Sequence, residues 1–236
     1  MNTTLYNAYL LHHRPYSDSQ IMIDMLVEGV GQLRMLARLK GRHSIKHKAQ
    51  LQPFQQLLIS FTGKGDLKYL TQFELSGKVT LLKGKSLYCG FYLNELCQRI
   101  IPHNEPIEDA YALYHQHINH LQQDNEVEPY LRTFEFQLLE LLGYGIDFEF
   151  DIAGDKIQTK SQYQFFDEMG WGKILPNEAD YYSYQQAVCG EQLLAILNYD
   201  FRKSAVRQLA KQLSRYLLKP LLGNKPLKSR ELFIKP

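Results

Sequence analysis

Gly84-Lys85-Ser86 sets a glycine, a lysine and a hydroxyl in the order that a phosphate-gripping loop uses. Such a loop needs a further glycine ahead of it, so that the backbone can wrap the phosphates. That position holds Val79, and Gly77 lies two residues too far back. No parallel-sheet pattern precedes it, and nucleotide hydrolysis is excluded. Eight histidines raise the question of a metal centre. His115, His117 and His120 fall on one expected helix, but at about 100° per residue their side chains spread around it. His43 and His47 have i, i+4 spacing, yet stand in a cationic stretch with no carboxylate or thiol nearby. Solvated or phosphate-facing imidazoles account for them. The acidic pairs Glu108/Asp109 and Asp167/Glu168 are adjacent in sequence, so their side chains point apart. No Ser-His-Asp or Cys-His arrangement is recognisable. We therefore expect no catalytic residue, no metal and no cofactor.

Cationic groups do recur. Arg34, Arg38, Lys40, Arg42, Lys46 and Lys48 cluster on one strand and the stretch beyond it, and Lys64 and Lys68 sit on a later hairpin. Such groups hold phosphates, giving affinity without sequence specificity and a steep dependence on salt. Tyr16, with Tyr6, Tyr9 and Tyr69, offers rings on which unpaired bases can stack. Alternating tyrosines are also ordinary strand residues. A second group, Arg202, Lys203, Arg207, Lys211 and Arg215, falls at helical spacing and is followed by Lys225, Lys228 and Arg230. It reads either as a second anion-binding face, for DNA or an acidic peptide, or as an amphipathic helix whose basic stems lie along its apolar flank.

The charges are segregated along the chain. Residues 1–85 carry twelve Lys/Arg against five Asp/Glu, residues 86–200 five against nineteen, and residues 201–236 ten against one. The net charge of +2 conceals two basic segments around an acidic one. This pattern suits a surface that meets a polyanion beside another that must not, or that meets a basic partner.

The elements that must position these groups differ between the two parts of the chain. Leu5, Tyr9 and Leu11 share one parity, as do Ile21, Ile23, Met25 and Val27, and then Leu33, Met35, Ala37 and Leu39. That is the alternation of half-buried strands, with Gly29 and Gly31 marking a turn. Lys40 to Lys48 is an exposed loop. Leu57–Phe61 and Leu67–Leu75 form a hairpin about Gly63-Lys64-Gly65-Asp66. Five short strands predict an OB-type barrel over residues 1–78. From residue 79 the period is helical, giving a second domain over 79–236 and an α+β protein. Its helices are expected around Leu87–Ile100, over Ile107–Leu121, over Pro129–Leu142 with Gly143 as C-cap, over Tyr184–Leu197, and over Arg202–Leu218 before Pro220. A small irregular or β insertion occupies about 146–176, with a hairpin of Tyr163–Phe166 and Trp171–Leu175.

No apolar run approaches the roughly 20 residues of a membrane span. Met1 to Leu11 lacks the basic start and unbroken apolar core of a signal peptide. Cys89, Cys97 and Cys189 form no C-x-x-C pair and are odd in number, which fits reduced thiols in the cytoplasm.

Six stretches in this order and spacing resemble the RecO family of bacterial recombination mediators, in its gammaproteobacterial branch, over nearly the whole chain. They are Leu11–Ser19 (LHHRPYSDS), Leu51–Phe54 (LQPF), Leu87–Leu96 (LYCGFYLNEL), Glu128–Glu135 (EPYLRTFE), Leu141–Gly145 (LLGYG) and Gly223–Phe233 (GNKPLKSRELF). The resemblance implies an OB domain followed by a helical one, and a cytoplasmic protein associated with the nucleoid during repair. It implies binding to single- and double-stranded DNA, annealing of complementary strands, and binding to the acidic, phenylalanine-ended tail of the single-stranded-DNA-binding protein SSB. With RecR, such a protein loads RecA onto SSB-coated strands and consumes no nucleotide itself. Arg132, in the Leu-Arg-x-Phe-Glu motif, looks like the family's contact for the SSB tail. Leu131 and Phe134 would then place an apolar slot beside its guanidinium, and an ion pair with Glu128 or Glu135 is the structural reading. Arg207, Lys211 and Arg215 would help to hold the tail's aspartates. Some family members carry a four-cysteine zinc site after the Leu-Gly-Tyr motif. Residues 146–176 contain no cysteine, so no zinc is expected here.

Two other readings stand beside this one. The acidic residues of 105–155 could gather around Mg²⁺ in a metal-dependent nuclease, and a cleavage assay on labelled DNA separates that from a binder. An OB-type RNA-binding protein keeps the fold and changes the ligand, and competition between RNA and single-stranded DNA decides it.

Overall fold

Residues 4–38, 50–123, 126–174 and 187–233 are described in the computed structural model. The alternating segments form β1 (Tyr6–Ser17), β2 (Gln20–Val27), β3 (Gly31–Arg38), β4 (Gln56–Thr62) and β5 (Leu67–Leu75). They close into a barrel in the order β1-β2-β3-β5-β4, antiparallel throughout except where β3 meets β5. This is the expected OB-type barrel. Helices follow: α1 (Gly84–Ile100), α2 (Ala110–Gln123), α3 (Val127–Leu141), α4 (Gly190–Leu197) and α5 (Ser204–Leu222). Among the described residues no helix is long and apolar enough to cross a membrane.

Ile23, Met25 and Val27 of β2 and Leu33, Met35 and Ala37 of β3 fill the barrel, as their alternation requires. On β1 the parity differs from expectation, for the inward residues are Ala8 and Leu10. Tyr9 and Leu11 are just as buried, because this strand is covered on its outer face too. The Tyr9 ring lies against Tyr111, Tyr114 and His115 of α2, and its hydroxyl meets His115 Nδ1 at 2.7 Å. A strand covered on both faces gives no clean alternation.

A β-bulge between Leu10 and His12 interrupts the ladder here. Asn94, in the middle of α1, donates its amide to the carbonyls of Leu10 and Leu11 at 3.3 and 3.1 Å. The Tyr114 hydroxyl in turn donates to Asn94 Oδ1. A residue that weakens an isolated helix thus satisfies carbonyls that would otherwise be buried unmet. At the β2–β3 turn, Gly31 has φ 95° and a Cβ there would stand 2.0 Å from the Glu105 carbonyl oxygen. Only glycine lets the turn press so closely on the chain that leaves α1.

The chain forms two compact units, Met1–Phe134 with Lys219–Pro236, and Glu135–Leu218. In the first, α1 holds the C-terminal segment. The Glu95 carboxylate accepts the N–H groups of Lys228 and Ser229 at 2.9 and 2.8 Å and the Ser229 hydroxyl at 2.6 Å. One turn on, Arg99 donates to the carbonyls of Leu222, Lys225 and Pro226. One departure from expectation lies beside these contacts. The last helix does not stop ahead of Pro220 but carries it inside its final turn, and just beyond the proline Arg99 takes the Leu222 carbonyl while the Gly223 N–H donates to the Lys219 carbonyl. Cys89 and Cys97 are buried in α1, and burial pushes the Cys89 thiol up to about 12. Both behave as small apolar side chains.

The second unit packs around Tyr163, Trp171, Leu193, Ile196, Phe201, Val206 and Ala210. The expected hairpin is present as β6 (Gln162–Phe166) and β7 (Gly170–Lys173), and β8 (Val188–Cys189) adds a third strand in the order β7-β6-β8. The helix expected from Tyr184 therefore starts only at Gly190, while residues 175–186 lie outside the described residues. A Cβ on Gly190 would meet the Gln158 carbonyl oxygen at 2.1 Å. That glycine lets the chain leave the sheet edge and turn into α4.

Candidate nucleic-acid interface

The register of the barrel sorts its outward side chains into rows that cross β1, β2 and β3. One row pairs His12 with Asp24 and Asp24 with Arg34. It is closed upon itself. The Asp24 carboxylate, only 6% exposed, accepts Arg34 Nε at 2.7 Å and a second guanidinium nitrogen at 3.4 Å. Gln98 Nε2 adds a third donor at 3.1 Å, and His12 Nδ1 stands 3.9 Å away. The Arg34 guanidinium also reaches His103 Nε2 at 3.1 Å. A guanidinium only donates, so that nitrogen must be an acceptor and the ring neutral. Burial, and then the adjacent Arg34 charge, hold the His103 pKa below its ordinary value in agreement. Arg34, expected among the DNA-binding residues, is thus a structural arginine with its charge answered.

The next row is open. Arg14 pairs with Met22, Met22 with Leu36, and Leu36 with Tyr69, so the row runs from β1 to β5. Arg14 is exposed and leans on the Met22 sulfur at 3.0 Å. Tyr69 is 49% exposed and Tyr16, close to the β1–β2 turn, 55%. Arg38 is exposed opposite Gln20 at that same end of the barrel. Lys64 is exposed in the β4–β5 turn, and Lys68 is half-buried with its ammonium on the Gly63 carbonyl at 3.1 Å. Among the described residues no ion pair engages Arg14, Arg38 or Lys64.

The four remaining cations of the expected cluster, Lys40, Arg42, Lys46 and Lys48, lie outside the described residues. Tyr9 offers no ring to a base because it is buried under α2, and Tyr6 is half-buried with its ring 5.3 Å from Phe61. Arg14 went unrecognised as a candidate by sequence reasoning. Its signal is the run His12–Ser17, which continues β1 without one aliphatic residue and is exposed at every position. A strand extended in this way projects into solvent.

On α3, Leu131 and Arg132 are 7% and 9% exposed and Phe134 is 0%. Phe134 therefore lines no surface. Its ring lies 5.1 Å from His117 in the core, and it supports the helix from beneath, contrary to the expectation of ligand contact. The charges of Arg132 and Glu128 both bear on the Cys89 thiol of α1.

The basic residues on and just before α5 extend further than expected, as Lys203, Arg207, Lys211, Arg215 and Lys219 follow one another at i, i+4 steps. Arg202 and Lys203 are answered by Asp200 and Glu191, each at 2.6 Å. Arg207 folds back to donate to the carbonyls of Phe201 and Arg202 at 2.8 and 2.7 Å. Lys211 and Arg215 are exposed, with no ion pair among the described residues. Like charges at this spacing repel by about 0.2–0.5 kcal/mol per pair, a cost that an anionic ligand would offset. Among the described residues, no three His, Cys, Asp or Glu side chains gather as a metal site would require.

Comparison with known proteins agrees over both parts of the chain. The family profile Recombination protein O N terminal matches residues 1–78, and Recombination protein O C terminal matches residues 82–231. The DNA repair protein RecO of Pseudoalteromonas translucida is 58% identical over 233 residues, covering 99% of this chain and 98% of that protein. The DNA repair protein RecO of Actinobacillus succinogenes is 40% identical over 98% of this chain and 95% of its own length. That of Cellvibrio japonicus is 40% identical over 99% and 98%.

Proposed function

The chain belongs to the RecO family of DNA repair and recombination proteins, and from that membership we propose that it acts by binding rather than by catalysis, as an annealing and recombination mediator. The observation that carries this reading is the outer surface of the barrel, where Arg14 and Arg38 stand exposed with Tyr16 and Tyr69, and where Lys64 is exposed in the β4–β5 turn. Cations without acidic partners hold a phosphate backbone, and exposed rings stack its bases. The same surface takes single- and double-stranded DNA, because phosphate contacts do not read sequence. Screening of two strands by cationic surfaces lets complementary strands approach and anneal with no nucleotide consumed.

The helical residues supply the partner contacts in this proposal. Arg132 holds the terminal carboxylate of the SSB tail, with Leu131 beside it, and Lys211 and Arg215 attract the tail's aspartates. Together with RecR, the protein loads RecA onto SSB-coated single strands. Support for these partners comes from the family motifs and from the row of cations along α5.

Annealing of SSB-coated complementary oligonucleotides without ATP tests the reading. The chain is expected to accelerate it, and the double variant Arg14→Glu/Arg38→Glu to abolish the acceleration. Failure of the unmodified protein at low salt overturns the proposal. Arg132→Glu is expected to weaken binding of a peptide of the SSB tail while leaving bare-DNA binding intact. Equal loss of both removes Arg132 from the tail site.

A further inference from the structure

A cleft of about 370 Å³ opens within the unit Glu135–Leu218, and its chemistry is the opposite of the barrel's. The chain that forms it turns at Gly143, which caps α3 as expected. Phe136, Tyr144, Phe148 and Tyr199 are among its lining residues, as are the carboxylates Glu140, Asp147 and Glu149; among the described residues no lysine or arginine lines it. Phe136 and Phe148 meet edge to face at 5.6 Å. Two of its apolar side chains face water, Tyr144 at 54% and Leu197 at 38% exposure.

The carboxylates are not equally available. Asp147 Oδ1 accepts the N–H groups of Glu149 and Phe150 at 2.7 and 3.0 Å, which fixes the turn. Glu149 has Lys156 at 3.3 Å. Glu140 is exposed, with no ion pair among the described residues, and it lies near enough to Tyr199 to add to the effect of burial in raising that phenol's pKa. Tyr199 itself has φ 51° where the chain leaves α4. Glycine is the relaxed residue at such a position, so the fold retains a tyrosine there against backbone preference.

Nucleic acid is repelled by this lining. A cation on an apolar stem is attracted twice, by carboxylates at short range and by the negative faces of aromatic rings. We propose that the cleft docks a basic segment of a partner protein, an arginine or lysine flanked by apolar residues, with Glu140 as the principal anion and Tyr144 and Tyr199 as the aromatic walls. The strongly acidic balance of residues 86–200 then has a purpose beside the basic barrel: it presents a site for a cationic protein on a molecule that otherwise selects anions.

The test uses the full chain and a fluorescein-labelled peptide alternating arginine and leucine, followed by anisotropy, with amide shifts at Tyr144 and Gly145 to locate the contact. Saturable binding is expected, weakened about tenfold by Glu140→Lys and separately by Tyr144→Ala. Both positions are exposed, so melting temperature and oligonucleotide binding are expected to stay unchanged. A peptide with glutamate replacing arginine is expected not to bind. Absence of binding, binding by both variants as tight as that of the unmodified chain, or equal binding of the glutamate peptide overturns the proposal. None of these results bears on the barrel's role, because DNA binding is measured on the same variants.

Discussion

Arg34 and Arg38 point outward from the same strand, four residues apart, and their circumstances are opposed. Arg34 lies opposite Asp24, and its guanidinium is taken up by that carboxylate and by His103. Arg38 lies opposite Gln20 near the end of the hairpin, exposed and with no ion pair among the described residues. The strand gives both residues the same backbone and the same face. What separates them is the cross-strand neighbour, so a cluster of positive charge in a sequence overstates the cations available to a ligand.

The largest effect of mutation falls on the closed row. Arg34→Gln and Asp24→Asn are each expected to cost about 2–3 kcal/mol in urea unfolding, since each leaves a charged partner partly buried and unmet. DNA binding by the folded variants keeps its salt dependence. A lowered salt slope with unchanged stability would place Arg34 on the DNA surface instead. For the two exposed arginines the double variant Arg14→Gln/Arg38→Gln inverts the pattern. Its stability stays within about 0.5 kcal/mol, while the slope of log affinity against log salt on single strands falls by about 1.4.

Smaller effects sharpen the same contrast. Tyr16→Ala is expected to lose about 1 kcal/mol of single-strand affinity, recovered in Tyr16→Phe, as stacking requires. Tyr9→Phe leaves DNA binding alone and costs about 1 kcal/mol of stability, because it removes the hydroxyl that meets His115. The pH dependence follows from His12, His103 and His117, each held below the ordinary imidazole pKa chiefly by burial. The unfolded chain then takes up protons first, so stability present above about pH 6.5 is lost as pH falls through the lower, folded-state values. Thermal melting at about pH 7.5 and about pH 5.5 checks this, and the fall is smaller in His117→Gln. The least effect is expected of Lys68→Ala, under about 0.5 kcal/mol, since its bond to Gly63 is exposed.

Much of this is legible in the residues, and the exceptions have physical causes. β2 and β3 announce themselves because one face is buried and the other is not, whereas β1 is covered on both sides and its inward parity is hidden. The Asp24–Arg34 pair is legible in principle. Every pair in the β2–β3 hairpin is mirrored about Gly29, so the turn alone sets those two residues opposite each other. No such local rule exists for β8 or for Pro220. The first is set by pairing with β6, and the helix end that follows the second is held by Arg99, more than a hundred residues away in the chain. Burial of Phe134 against His117 likewise depends on how α3 meets α2, which helical spacing alone leaves open. The open row is half legible: tyrosine and arginine show as residue types, but their solvent exposure depends on the hairpin's reach beyond the barrel.

The grip of Glu95 and Arg99 on residues 222–229 has a consequence for biosynthesis. A ribosome delivers the barrel, α1 and α2 early, yet the partners of those two side chains emerge only after the whole intervening unit has been translated. The portion of the molecule made first is therefore finished last. A nascent chain stalled before residue 222 exposes a carboxylate and a guanidinium awaiting ligands, and a premature stop codon late in the gene would injure the beginning of the protein as much as its end.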